Sequence, residues 1–531
     1  MWSNRASLTV FGLVLALSAA GSARAEGPLS FSDASEPSGL AKILKDWRYG
    51  HGAAWGDVDG DGKPDLYVGA FSDRKTFKGD QAPLPNMLLL QKDGRFELSG
   101  QKDLQFAGKG ACCSMVLFVD LDNDGDLDLL VGNYADRAGR TDGRLFENVG
   151  GGKFVDVTDR IEPWPKGFAM RNVTALDVNH DGLLDLILAD GGNPKSAHVR
   201  VLQNKGKFQF QDVSAAAGFP DAQTVGLGLA AGDVNNDGVA DIFVVGSNRL
   251  FLGSAGGTYS LAELPEDLFP KFKGEFMPCG AALGDLNGDG LLDLVLTIHD
   301  EPGVVYVYLN KGVRDGVPEF QKVHTWEYPK GTKDRLPVKA AHVIICDMDA
   351  DGRNDIALAI IYKTADGRTQ PLVLRNEGVK DGVPQFLVPP PETAIGYYAP
   401  GPMTDYDRDG RIDIFLPSWF EELPSYLFHN DTKGGHWLAV RVAGDGKTFN
   451  PMGLGAIVRA YQPGKAGDAK ALIARTDLSV GNGYASGEEA ICFLGLGKAD
   501  NVDLEITWGT AKVVVHDVAV DRYMTVPFPG K

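Results

Sequence analysis

The side chains best placed to do chemistry recur in one nine-residue pattern, Asp-x-Asp/Asn-x-Asp-Gly-x-x-Asp, which occurs seven times. The copies span residues 57–65, 120–128, 177–185, 233–241, 285–293, 347–355 and 405–413. Loop by loop, the oxygen donors are Asp57, Asp59, Asp61 and Asp65; then Asp120, Asp122, Asp124 and Asp128; then Asp177, Asn179, Asp181 and Asp185. Next come Asp233, Asn235, Asp237 and Asp241; Asp285, Asn287, Asp289 and Asp293; Asp347, Asp349, Asp351 and Asp355; and last Asp405, Asp407, Asp409 and Asp413. Oxygens at positions 1, 3 and 5 converge if the chain curls tightly, and Gly at position 6 permits a positive φ there. Position 7 can add its carbonyl, and Asp at position 9 closes the shell. Such an all-oxygen set suits Ca²⁺, which takes 6–8 hard ligands, better than Mg²⁺, which wants a rigid octahedron and keeps its waters. Up to seven Ca²⁺ ions are expected. Loops 1, 2, 6 and 7 carry four Asp at these positions and loops 3, 4 and 5 carry three, so the first group is expected to bind more tightly.

An EF-hand shares the first half of this loop but needs a Glu at position 12 and flanking helices. Here position 12 is Val68, Val131, Leu188, Val244, Leu296, Leu358 and Leu416, which excludes it. The segments after the loops are short, apolar and often β-branched, as buried strands are. Small residues precede the loops, as in Gly52-Ala53-Ala54 and Gly280-Ala281-Ala282. A third strand usually ends in Asn (Asn148, Asn204, Asn310, Asn376, Asn430), and a Phe-led segment often follows. Successive loops start 63, 57, 56, 52, 62 and 58 residues apart, room for four short strands each. The expected fold is all-β: a seven-bladed β-propeller over 26–432 with calcium-binding hairpin loops, and a small β-sandwich-like domain over 434–528. Radial repetition leaves only short, protected sheet edges. The last repeat lacks its Phe-led strand, and 31–35 supplies the missing sequence, so it is expected to close blade 7.

Composition agrees with this reading. The 531 residues carry 71 acidic and 52 basic side chains, a net charge of −19, and Gly numbers 67. The acidity disfavours sequence-independent nucleic-acid binding. The loops account for 25 of the 71 acids, and seven bound Ca²⁺ would bring the formal charge to −5. Arg5, an apolar run over 8–20 and Ala23-Arg24-Ala25 read as a cleavable signal peptide, cut after Ala25. The protein is therefore expected to be secreted or periplasmic, with no membrane insertion. Five Cys form no disulfide scaffold. Cys112, Cys113 and Met115, with Met277 and Cys279, raise a minor alternative, a copper or thiol site near the axis. His51 could face the channel, but packing is the simpler reading. His180 stands at position 4 of loop 3, a non-ligand slot. Gly446-Lys447-Thr448 fails as a P-loop because Arg441 stands where the first Gly should be, and no G-x-S-x-G or H-E-x-x-H motif occurs.

The repeated loops resemble the FG-GAP/VCBS repeats of integrin α-chain propellers and their bacterial relatives. Residues 435–526 resemble the ASPIC/UnbV domain, on His436-Trp437-Leu438-Ala439-Val440, Gly453-Leu454-Gly455-Ala456, Gly481-Asn482-Gly483-Tyr484-Ala485-Ser486 and Leu494-Gly495-Leu496-Gly497. The pair together is similar to the cartilage acidic protein family. That resemblance implies a secreted calcium-binding propeller acting in interaction rather than in a known reaction. Its partner would be an extracellular or periplasmic protein or glycan; the long inserts 73–86, 300–303 and 419–424 place the expected ligand surface on the loops at one end of the propeller and on the C-terminal domain. The alternative is an enzyme or enzyme accessory using the channel mouth; no catalytic residue is assigned. The glycines of 453–455 and 481–483 read as turn residues of the sandwich, and Tyr484 and Trp437 as core.

Overall fold

The computed structural model describes residues 29–71, 85–105, 112–133, 143–161, 170–190, 198–219, 226–270 and 278–528. The signal segment, most of the 73–86 insert and Met277 lie outside them. Strands dominate, and each nine-residue loop joins two antiparallel strands.

The described repeats form seven sheets built on four strands each, successive in the first six; the first and sixth carry one strand more. The second sheet is representative: Cys113–Val119, Asp128–Asn133, Arg144–Asn148 and Phe154–Asp156, in that order. The first and second strands are buried along their whole length. A sheet covered on both faces reads as a continuous apolar run, which is why the segments after the loops show no alternation. The fourth strand is short and alternates, with Phe154 buried and Val155 exposed. Three-residue edges such as this one offer little template for pairing with another chain, whereas the fifth sheet ends in an eleven-residue strand, Val317–Glu327.

First strands of sheets one to six lie against one another in chain order. The succession returns to its start: Gly50 N–H donates to Ser418 O (2.8 Å) and Trp55 Nε1–H to Pro402 O (3.2 Å), both in the seventh repeat. The seventh sheet takes its outer strand from the N-terminus. Phe31–Asp33 pairs antiparallel with Tyr426–Asn430, Phe31 opposite Asn430, as Phe154 stands opposite Asn148 and Phe210 opposite Asn204.

The C-terminal region builds two further sheets, one of Cys492–Gly497, His436–Ala443 and Arg522–Pro527, the other of Leu472–Asp477, Ile457–Tyr461, Asn501–Trp508 and Ala511–Ala519. Its apolar interior is continuous with that of the second and third repeats: Leu438, Val440, Leu454 and Trp508 share one cluster with Leu117, Leu121 and Val173.

Candidate metal centres and the filled axis

Each loop is wound by two left-handed residues. Position 6 is Gly throughout, with φ between 83° and 95°. Position 4 is left-handed as well, at Gly60, Asn123, His180, Asn236, Gly288, Ala350 and Arg408. Position 4 had no role in the ligand pattern; its signal was the frequency there of Gly and Asn, which tolerate this conformation best.

The four acidic positions divide their work. The position-9 Asp is buried in every loop and accepts two backbone N–H bonds of 2.7–3.1 Å, one from position 2 and one from the end of a third strand. The position-1 Asp accepts from the position-6 Gly N–H at 2.6–3.2 Å. These bonds hold the loop shape. Burial nonetheless pushes the carboxyls of Asp65, Asp128, Asp185 and Asp241 up to about 8, the backbone N–H donors offsetting only part of the cost. Asp177 and Asp405 rise to about 7 and Asp120 and Asp233 to about 6, again mainly through burial. Carboxylates so desolvated and so close to one another call for a cation.

Potential ligand oxygens converge within 4.8 Å in four loops: Asp57, Asp59 and Asp61; Asp120, Asp122 and Asp128; Asp347, Asp349 and Asp351; Asp405, Asp407 and Asp413. In loops 3, 4 and 5 the position-3 amide instead donates to position 5, from Asn179 to Asp181, Asn235 to Asp237 and Asn287 to Asp289. All of these donors are hard oxygens, and Asp349 Oδ1 is buried without a partner, so the residues fit a Ca²⁺ ion. Charge counting overrates loop 6, however. Arg375 Nε lies 2.9 Å from Asp349 Oδ2 with both side chains buried, and Arg353 pairs with Asp351, so two of its four charges are already met.

The third-strand asparagines clamp neighbouring repeats; Asn148, Asn204 and Asn430 end their strands, whereas Asn310 and Asn376 lie inside the longer strands Val304–Arg314 and Thr369–Lys380. Asn148 Nδ2 donates to Val58 O (2.8 Å), Asn204 to Leu121 O (2.7 Å), Asn310 to Val234 O (2.8 Å), Asn376 to Leu286 O (2.9 Å) and Asn430 to Met348 O (2.9 Å). Each acceptor is the position-2 carbonyl of the preceding loop. Gln91 does the same across the join, donating to Tyr406 O (2.7 Å), and Gly253 replaces the clamp in the fourth sheet. The sequence showed these residues as strand ends only.

The C-terminal domain sits on the loop face. Tyr523 O–H donates to Asp405 Oδ2 (2.7 Å), Gly435 N–H to Asp349 O (3.0 Å), Gly509 N–H to Gly238 O (2.9 Å), and Asn123 Nδ2 to Gly446 O (3.1 Å). Trp437 covers Gly410, where a Cβ would fall 1.9 Å from its ring. Arg475 bolts two loops together. Its fully buried guanidinium donates to Asp233 O (2.9 Å), Asn236 Oδ1 (2.6 Å) and Gly290 O (2.6 Å), and it pairs with Asp477, which accepts from Asp233 N–H (2.9 Å).

Residues 480–487 run into the axis between the first strands. Asn172 Nδ2 and Thr174 Oγ1 donate to the carbonyls of Gly481 and Val480, Gly483 N–H donates to Ala281 O, and Ser486–Gly487 pairs in parallel with Ala53 and Ala54. Gly401 N–H donates to Ser486 Oγ. Burial pulls His342 down to about 4, so its Nδ1 is free to accept from Tyr484 N–H (3.0 Å). Tyr484 O–H meets His51 Nε2 at 3.1 Å, which places His51 in a buried axial contact packed by Phe71 and Trp419. Gly481 and Gly483 are therefore more than turn residues: with φ 72°, they approach so closely that a Cβ would fall 2.0 Å from Val173 O and 2.6 Å from His342 Nδ1.

Beside this segment lies a cavity of about 140 Å³ lined by Arg475, Asp477, Asn482, Glu488 and Glu489 among others. Both carboxylate oxygens of Glu488 are buried without partners, and burial raises its carboxyl to about 7, which the nearby amides of Asn482 and Gly481 only partly offset. A carboxyl raised on folding contributes nothing unfavourable below its ordinary pKa of about 4.3. It costs stability progressively as pH rises towards 7. The Glu488→Gln variant should therefore match the parent at pH 4.5 and exceed it by about 3 kcal/mol at pH 8. Denaturant melts at the two pH values check this; equal stability at pH 8 would refute it.

The sulfur residues do not converge. Cys113 lies in the core between the first and second repeats and Cys279 in that of the fifth and sixth, and burial raises both thiols. No cysteine joins a cluster of three His, Cys, Asp or Glu ligands among the described residues. The described residues therefore lend the copper reading no support: Cys113 and Cys279 lie in separate apolar cores.

Comparison with known proteins agrees with the loops. The FG-GAP-like repeat family matches residues 57–131, 120–188, 177–244 and 285–358, and the ASPIC and UnbV family matches 446–530. Cartilage acidic protein 1 of Xenopus tropicalis is 23% identical over 513 residues, spanning 90% of this chain and 74% of that protein. The Homo sapiens protein of the same name is 25% identical over 501 residues, spanning 88% and 70%. Among solved structures, the exotype rhamnogalacturonan lyase YesX aligns with TM-score 0.36 and 13% identity, covering 90% of this chain and 73% of its own, too remote to carry function across. No described helix is long and apolar enough to cross a membrane. The chain is a protein of FG-GAP-like repeats joined to an ASPIC and UnbV domain, homologous to cartilage acidic protein 1 over most of its length.

Proposed function

We propose that this protein is a secreted or periplasmic seven-bladed β-propeller that binds up to seven cations, chiefly Ca²⁺, and serves as a binding module for an extracellular protein or glycan. The N-terminal strand at 31–35 closes the ring, and the domain over 434–528 caps it. The observation that carries this reading is the set of seven oxygen-lined loops, each wound identically and gathered on the face that receives the C-terminal domain. Calcium there braces the scaffold. The ligand surface then falls to the opposite end, which carries the connections at 300–303 and 419–424.

The channel-mouth enzyme reading has less to work with, because residues 480–487 occupy the axis. The test is direct. Protein purified without chelator should carry several calcium ions per chain by elemental analysis, and should be retained on an array of glycans or matrix proteins in calcium but released in EDTA. Calcium-free protein, or retention indifferent to EDTA, would overturn the proposal.

A further inference from the structure

One position varies in chemistry from repeat to repeat while keeping its place beside the loop: the residue before the clamp. It is Leu90, Glu147, Gln203, Leu252, Leu309, Arg375 and His429 in sheets one to seven. Where it is Arg375, it donates to the position-3 Asp of its own loop. Where it is His429, it reaches two loop carboxylates. Nε2 lies 3.1 Å from Asp407 Oδ2 and 3.6 Å from Asp409 Oδ2, and the donor atoms of all three residues fall within 4.8 Å of one another. On the other side of the ring, Nδ1 lies 2.9 Å from Asp431 Oδ1. No other cluster among the described residues contains a nitrogen donor.

We propose that the seventh loop is a mixed nitrogen–oxygen site for a borderline divalent transition-metal ion, best represented by Zn²⁺, held by Asp407, Asp409 and His429. Imidazole suits zinc and its first-row neighbours, whereas Ca²⁺ takes oxygen ligands. Asp431 supplies the outer hydrogen-bond partner that zinc-bound histidines almost always have, here a carboxylate. Its contact with Nδ1 orients the ring so that Nε2 faces Asp407 and Asp409. Without metal the imidazole ion-pairs with both carboxylates, and a zinc ion would take the place of its Nε2 proton. Zinc with ligands at 2.0–2.2 Å in a tetrahedron separates its donor atoms by about 3.3 Å, and the 3.1 and 3.6 Å distances bracket that value. His429 is partly exposed and Asp407 and Asp409 more so, which leaves an entry path and room for a water as fourth ligand. The inner carboxylates Asp405 and Asp413 remain tied to backbone N–H groups and to Tyr523.

This inference rests on the loop-cation reading only in treating loop 7 as a cation site. Zinc is titrated into the full-length protein in saturating calcium, against a chromophoric chelator, with bound calcium counted in the same samples. One zinc per chain is expected. His429→Gln should abolish it with the calcium count of the other six loops unchanged, and Asp431→Asn should weaken it about 10–100-fold. No zinc uptake, or uptake unaltered in His429→Gln, overturns the proposal. Zinc retained by a protein that carries no calcium would overturn the calcium reading and leave this site standing.

Discussion

Chelation with EDTA should lower the melting temperature of the full-length protein by roughly ten degrees, and added Ca²⁺ should restore it. A ligand bound only by the folded state stabilises it by RT ln(1 + [L]/Kd). With affinities of roughly 10⁻⁴–10⁻³ M and about 10 mM calcium, each ion contributes about 1.4–2.7 kcal/mol. The six loops other than the seventh then contribute roughly 8–16 kcal/mol. Unfolding entropy for about 500 residues is near 1 kcal/mol/K, so the shift is on the order of ten degrees. The size of the effect follows from burial: Asp65, Asp128, Asp185 and Asp241 sit as desolvated carboxyls beside other acids. Without an ion, each loop must either hold protons or bear the repulsion. A melt indifferent to EDTA and to calcium would remove the metal from these loops.

Arg475→Met should release the C-terminal domain from the repeats, at a cost of about 3–5 kcal/mol. The guanidinium is fully buried and donates to groups on loops 4 and 5 as well as to Asp477. Its loss leaves Asp477 as an uncompensated buried charge and orphans Asp233 O and Gly290 O. The released domain should also withdraw residues 480–487 from the axis, since Asp477 leads directly into that segment. Limited proteolysis in calcium is the readout, with faster cleavage in the connection after Asn430 expected. Arg475→Lys, which keeps the charge and loses the fork, should fall between the two. A cleavage pattern equal to the parent's would show that the dock does not depend on this bolt.

The legible features are those whose partners are close in sequence. Four carboxylates within nine residues announce their own convergence, and Gly at position 6 announces the turn. Val68 and its six equivalents at position 12 exclude the helical alternative without any coordinates. The Phe-led segment at 31–35 was recognisable because it repeats the pattern of Phe154 and Phe210. Other features were visible yet unread. The strand-end asparagines stood out by repetition, but Asn148 bonds Val58 O, 90 residues earlier, and nothing local names that acceptor. Arg375 looked like an ordinary strand residue until Asp349 was found beside it, and His429 gave no metal spacing because its partners precede it by 20 and 22 residues. The run Gly481-Asn482-Gly483-Tyr484-Ala485-Ser486 carried a signal of its own: small residues that let one backbone approach another closely.

By itself, then, the sequence determined the repeat, its all-β character, the oxygen-lined loops and the two-part organisation, because hydrogen bonding along a hairpin and ligand convergence within nine residues are short-range properties. Only the tertiary structure decided what those loops face. The axis is filled by residues 480–487, the loop surface is roofed by the C-terminal domain, and Arg475 joins them, through contacts between groups 185 to 242 residues apart. Such contacts depend on shape complementarity between two folded surfaces, and composition and spacing along one chain hold no record of which surfaces will meet.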